Sequence, residues 1–206
     1  MKSVLLTAFE PFDGEALNPS LEAARAMTKL QFNGAAIERL ELPVDRFRAA
    51  EAILDRLREN RPDVVVMLGE AGRRLRVTPE RVAINVDDFR IPDNAGNQPK
   101  GEPIVEGAPV AYFATLPIYE IVDRLKAANI PAEISNSAGT YLCNRIFYRV
   151  MHFLAEEQSR VRAGFIHLPY MHEQVLEKKY DFPSLSRETL IEAVRIVIAA
   201  SIDKGI

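Results

Sequence analysis

A chain of 206 residues can bury one substantial core and is short for two domains, and 48% hydrophobic with 27% charged residues is an ordinary globular balance. A net charge of −3 argues against nucleic acid as a main partner, and a single cysteine excludes an internal disulfide framework. The first ten residues hold too short an apolar run for a signal peptide and no run reaches membrane-spanning length, so a cytoplasmic protein without a membrane partner is expected.

Val4 to Ala8 reads as a short buried strand, followed by a loop, Phe9 to Gly14, that carries two aromatic residues. On composition alone, Phe9 and Phe12 would pack that loop against the sheet edge. Asn18-Pro19 opens a helix, with asparagine as N-cap and proline at the first helical position, and Ala23, Met27 and Leu30 mark one face. Ala36 to Leu42 is a second strand. A helix from about Asp45 shows Phe47, Ala50, Leu54 and Leu57 on one face and ends at Asn60-Arg61-Pro62. Asp63 to Gly69 is apolar on both faces, as in the centre of a sheet covered on both sides.

This strand–helix alternation predicts an α/β fold: a three-layer α/β/α sandwich with a largely parallel central sheet, forming a single domain over residues 1–206. Ligands of such sheets gather at the carboxyl ends of strands, which places Gly69 and Glu70 at a candidate site. The glycines of Gly69-Glu70-Ala71-Gly72 match neither a dinucleotide fingerprint nor a phosphate loop. An extended segment is expected over Glu80–Val86. The segment from Asp87 to Pro103, with Arg90 and Asp93 near its start and three prolines, is irregular, of the kind that is functional or disordered. Pro117 to Ala128 is a helix, Pro131 to Ser135 a strand, and Arg162 to Pro169 the last strand. Ser186 caps a final helix with Leu190, Val194, Val197 and Ile202 inward.

The sole cysteine lies in Ser135-Asn136-Ser137-Ala138-Gly139-Thr140-Tyr141-Leu142-Cys143-Asn144. A tight turn at Ser137–Gly139 and a Thr140 N-cap would put Cys143 in the first turn of a helix whose inner face is Phe147, Val150, Met151 and Leu154. Unpaired N–H groups and the helix dipole at such a place favour a thiolate, so a lowered thiol pKa is expected. A lone cysteine on an apolar stripe is more often a small buried hydrophobe. His167 falls near the carboxyl end of the last strand, and Glu80 lies just after the central strand. A nucleophile, a base and an orienting carboxylate would therefore meet at one sheet edge. The histidines at 152, 167 and 172 give no zinc spacing with the cysteine, so no metal or cofactor is expected, and His152 and His172 read as structural or surface residues.

Several segments resemble the pyrrolidone-carboxylate peptidase family of cysteine peptidases: Phe9-Glu10-Pro11-Phe12, Asn18-Pro19-Ser20, the run Thr78 to Asp88, Arg90 to Asn94, Ala138 to Tyr141 with Cys143-Asn144, and Gly164 to Pro169. The resemblance implies that Cys143 is the nucleophile, His167 the general base and acid, and Glu80 the carboxylate that orients His167. It implies a substrate pocket built partly from Phe9 and Phe12, with Arg90 near the oxyanion. Asn18, Gly69, Glu70, Tyr141 and Leu142 are further candidate substrate-binding positions. It also implies peptides with N-terminal pyroglutamate as substrates and a homotetramer. The sequence departs from the family pattern at Glu70, where glutamine is usual, at Arg73, where glycine is usual, and at Arg145, where histidine is common. The Glu70 side chain is expected to point away from the substrate ring. A binding protein that keeps the fold without turnover, and a phosphorylase on a similar sandwich, are the other readings.

Overall fold

Apolar runs at both ends of the chain converge on one sheet in the computed structural model, which describes residues 2–27 and 34–203. Strand β1 (Ser3–Phe9) pairs in parallel with β2 (Ala36–Leu42) on one side and β3 (Val64–Glu70) on the other. Helix α1 (Pro19–Ala26) stands between β1 and β2, capped by the Asn18 Oδ1 that accepts the Ser20 N–H at 3.0 Å. Ala23 and Met27 are buried on its inner face as expected, while Leu30 lies outside the described residues.

Helix α2 (Arg48–Glu59) joins β2 to β3. It starts three residues later than its apolar spacing predicts, because Asp45 Oδ1 accepts the N–H groups of both Phe47 and Arg48 at 2.8 Å and closes a turn in front of it. Phe47 therefore precedes the helix. It is exposed, not inward, and its ring is flanked by the guanidinium groups of Arg46 and Arg145 at 5.3 and 5.5 Å.

After β3 come the two-residue β4 (Thr78–Pro79), then β5 (Val82–Ile84) and β6 (Ala111–Phe113), which pair with each other in antiparallel fashion. Between them, residues 87–103 are tied down: Asp87 and Glu102 exchange backbone hydrogen bonds, and Asp93 accepts the N–H groups of Arg46, Ala95 and Asn97. Helix α3 (Ile118–Ala127) buries Ile118, Ile121, Val122 and Leu125. The expected strand at Pro131–Ser135 is reduced to two single bridges, Val77 to Ala132 and Glu80 to Ser135, which suffice to lay this segment beside β4.

Helix α4 (Leu142–Glu156) and β7 (Arg162–Leu168) follow. Arg162 to Leu168 is not the last strand. Short β8 (Tyr170–Met171) and β9 (Ser184–Leu185) pair in parallel around α5 (His172–Val175), and α6 (Arg187–Asp203) closes the chain with Leu190, Val194, Val197 and Ile202 buried.

The central sheet runs β2-β1-β3-β7-β4, parallel except for β4 against β7. Two apolar layers flank it. Val4, Leu6, Val64, Val66 and Ile166 face α1, α3 and α6; Leu5, Val65, Met67 and Phe165 face α2 and α4. This is the α/β/α sandwich that the strand–helix alternation predicts, with both faces of the sheet covered.

Candidate active site

The carboxyl ends of β3 and β7 open into a cavity of about 500 Å³. β7 brings His167 there, directly opposite Gly69 of β3 on one side and Thr78 of β4 on the other. The imidazole is buried and packs against the Phe165 ring at a centroid distance of 4.8 Å. Its Nδ1 meets Glu80 Oε1 at 2.7 Å. Glu80 stands behind the histidine and does not line the cavity. It follows β4, an antiparallel edge strand, and not the central strand as the chain order had implied. Its N–H donates to Phe165 O at 2.8 Å, which locks it to β7.

Burial alone would raise the Glu80 carboxyl. The hydrogen bond and charge of His167, with smaller contributions from Ser135 and Arg74, bring it below the usual carboxylate range instead. Burial pushes His167 down, outweighing the support of Glu80. Both shifts favour a carboxylate beside a neutral imidazole, and the bond to Glu80 is matched by the tautomer that carries its proton on Nδ1 and leaves Nε2 free.

Cys143 is the second residue of α4, whose N-cap is Tyr141 and not Thr140. The Thr140 Oγ1 is engaged elsewhere, donating to Asp88 O at 2.7 Å. Gly139, at φ +77°, makes the sharp turn before the helix, a conformation that costs glycine little. Asn144 fixes the helix start from behind: its Oδ1 accepts the Ile84 N–H at 3.0 Å, and its Nδ2 donates to Ile84 O and Val86 O. The Cys143 sulfur lies close over β3, since a Cβ at Gly69 would sit 2.9 Å from Sγ and 2.6 Å from the Phe165 ring. Gly69 does not line the cavity, and its contribution is the room it leaves for the thiol.

The thiol is half-buried, and its pKa is pushed up to about 12, by burial first and then by the carboxylates of Glu80 and Glu70, against the opposing charge of Arg74. This reverses the expectation of a lowered pKa. The helix start supplies N–H groups, but burial and, after it, the carboxylates around the sulfur outweigh them. A thiolate forms here only if its proton passes to the imidazole.

The other candidates divide. Phe9 is not in a loop: it ends β1, pairs with Leu42 in register and is buried, yet it lines the cavity. Phe12, Tyr141 and buried Leu142 add apolar wall. The Tyr141 ring is braced edge-on by Phe89 at 4.6 Å. Asn18 reaches the cavity wall while capping α1 and donating to Glu10 O at 3.2 Å. Arg90 lines the mouth and is exposed. Composition gave no hint of Glu10, whose Oε1 accepts the Val44 N–H at 2.9 Å and the Asn94 amide at 3.2 Å, holding the loop that follows β1 to the segment that carries Arg90. Gly72 packs against Tyr170, since a Cβ there would fall 1.9 Å from the phenol ring. His152 and His172 bond to Tyr112 and Ser184, away from the cavity. Among the described residues, no cluster of three or more His, Cys, Asp or Glu side chains is placed to hold a metal ion. No helix among them is long and apolar enough to cross a membrane.

Glu70 ends β3 on the cavity wall. Gln174 accepts the Met171 N–H through Oε1, which sets its amide so that Nε2 donates to Glu70 Oε2 at 2.9 Å. Burial raises the Glu70 carboxyl from 4.5 to about 7; Gln174 and Lys178 oppose the rise, and Glu15 and Asp13 add to it. The native state therefore binds more protons than the unfolded chain between these values. The penalty for ionising Glu70 is absent below about 4.5 and complete above about 7. Glu70→Gln should stabilise the fold at pH 8.5 relative to pH 5 by on the order of 1–3 kcal/mol, the Glu70 shift discounted for its partial exposure. Urea unfolding of both proteins at the two pH values checks this. An equal difference at both would show that Glu70 titrates normally.

A family model described as pyroglutamyl peptidase matches residues 2–204. Pyrrolidone-carboxylate peptidase of Thermococcus onnurineus is 50% identical over 97% of this chain and 98% of its own length. The enzyme of the same name from Vibrio parahaemolyticus is 45% identical over 98% of this chain and 94% of its own. The crystal structure of pyroglutamyl peptidase I from Bacillus amyloliquefaciens superposes with a TM-score of 0.93 at 41% identity, covering 98% of this chain and 97% of that one.

Proposed function

The chain belongs to the pyroglutamyl peptidase family and is a cysteine peptidase that removes N-terminal pyroglutamate from peptides; from that premise we propose that Cys143, His167 and Glu80 carry the reaction. The observation that carries the assignment is the 2.7 Å bond between His167 Nδ1 and Glu80 Oε1, with Cys143 on the wall of the same cavity.

His167 Nε2 takes the Cys143 proton as the sulfur attacks the carbonyl joining pyroglutamate to the next residue. The Glu80 carboxylate stabilises the imidazolium that forms. The first N–H groups of α4, with Arg90 from the opposite rim, face the oxyanion. The tetrahedral intermediate collapses as the imidazolium gives its proton to the departing amine, leaving a thioester on Cys143. His167 then takes a proton from water. The resulting hydroxide adds to the thioester, pyroglutamate leaves, and the thiol regains its proton. Phe9, Phe12 and Tyr141 offer apolar walls to a neutral lactam ring, and Asn18 and the main chain at Glu70 are the polar groups aimed at its amide.

The proposal extends to a cytoplasmic homotetramer that acts without nucleic acid, metal or cofactor; the assembly rests on the family resemblance. A binding protein without turnover is not favoured, given the named activity of the relatives. The purified protein should release the arylamine from a pyroglutamyl-arylamide and stop doing so once iodoacetamide has labelled Cys143. Release that survives stoichiometric labelling would overturn the thiol assignment.

A further inference from the structure

We propose that Arg74 is a positioning residue for catalysis, its guanidinium holding the Glu80 carboxylate against His167 and tying both to the loop that delivers Cys143. The inference rests on the reading of Cys143, His167 and Glu80 given above. The Arg74 N–H closes a turn onto Ala71 O at 2.9 Å, in the connection from β3 to β4, and the side chain reaches across the end of β4. Nη1 donates to Thr78 Oγ1 at 2.6 Å and to Glu80 Oε1 at 2.5 Å; Nη2 donates to Ser137 O at 2.8 Å. The three acceptors belong to the parts the reaction must bring together. Thr78 pairs with His167 across the sheet, Glu80 Oε1 is the oxygen that His167 Nδ1 meets, and Ser137 stands in the turn before α4. Backbone hydrogen bonds tie residues 131–135 to Val77, Pro79 and Arg81, and Arg74 extends that attachment to Ser137, where the chain turns toward α4. Three forked N–H bonds from one planar group fix these pieces in a way a flexible ammonium could not.

Arg74 also reaches the reacting groups through its charge. It opposes protonation of His167 and favours ionisation of Cys143, two effects of opposite sense on the proton transfer between them. Its side chain is 30% exposed, while that of Glu80 is fully buried, so the arginine sits as a partly solvated clamp on a dry carboxylate.

The test is a double-mutant cycle on the intact protein with a pyroglutamyl-arylamide. Arg74→Ala should lower kcat roughly 10- to 100-fold with little change in KM, since a small misplacement of a catalytic group costs about that much. The acid limb of kcat/KM should move to higher pH as His167 becomes easier to protonate. Arg74→Lys should recover only part of the rate. On a Glu80→Gln background, removing Arg74 should cost clearly less than it does in the wild type, because part of its effect passes through that carboxylate. Full additivity, or a loss confined to KM with an unmoved acid limb, would overturn the proposal. Should Arg74→Ala fail to fold, Arg74→Lys carries the same cycle and the same outcomes decide. Full activity in Glu80→Gln alone would instead remove the underlying assignment of the carboxylate, a failure distinct from that of Arg74.

Discussion

Cys143→Ser is expected to lose at least about 10³-fold in kcat/KM while folding normally. The proposed mechanism moves one proton from the side chain at 143 to His167. Burial and two carboxylates already push the thiol up to about 12, so the exchange has little driving force to spare. A hydroxyl starts from a far higher pKa and is not readily ionised by a histidine arranged for thiol chemistry, whose own pKa burial has lowered. The oxygen is also smaller than the sulfur and would sit farther from the carbonyl, over a Gly69 that leaves room for the larger atom. Thermal melts of wild type and variant, alongside steady-state rates, separate chemistry from folding. A serine variant with a tenth of the wild-type rate would mean that another group attacks. The same physics makes alkylation of Cys143 depend on His167: His167→Ala should slow labelling by iodoacetamide at pH 7, and an unchanged rate would show that the thiol ionises without it.

Glu80→Gln is expected to lower kcat by roughly 10²- to 10⁴-fold with a small change in KM. Glutamine can set its oxygen on His167 Nδ1–H but brings no charge to the imidazolium that forms. If its amide group faces the imidazole instead, it forces the wrong tautomer. Because Glu80 stands behind His167 and off the cavity wall, the ring-binding surface is untouched. A large rise in KM with kcat intact would move Glu80 into substrate binding.

The long apolar elements were legible in the chain because each carries its own periodicity. Ile121, Leu125, Val150, Leu154, Val194 and Val197 are all buried where a helical repeat puts them. What periodicity could not supply was anything decided by one or two residues. Asp45 delays α2 and turns Phe47 outward through two hydrogen bonds. β4 is two residues long and antiparallel, so the chain order misplaced the carrier of Glu80. Pro131–Ser135 makes single bridges where a strand was expected. At the site, the positions of Cys143, His167 and Glu80 were readable from motif resemblance, but the thiol's electrostatics were not. They depend on burial first and then on Glu80 and Glu70, distant in sequence and close only after folding. Arg74 escaped notice for the same reason: an arginine in a polar turn carries no pattern, and its partners at Thr78, Glu80 and Ser137 are visible only in three dimensions.

The place of β7 in the sheet bears on how this protein comes into being. It lies between β3 and β4, yet of the five strands it is the last to be synthesised. Glu80 waits for a partner 87 positions further along the chain. A ribosome-bound chain that stops short of Arg162 already carries Cys143 and Glu80, but it lacks His167 and the β7 partner of β4. Contacts of such long range are costly to close and form late. The proposed site is therefore completed only when β7 enters the sheet between β3 and β4.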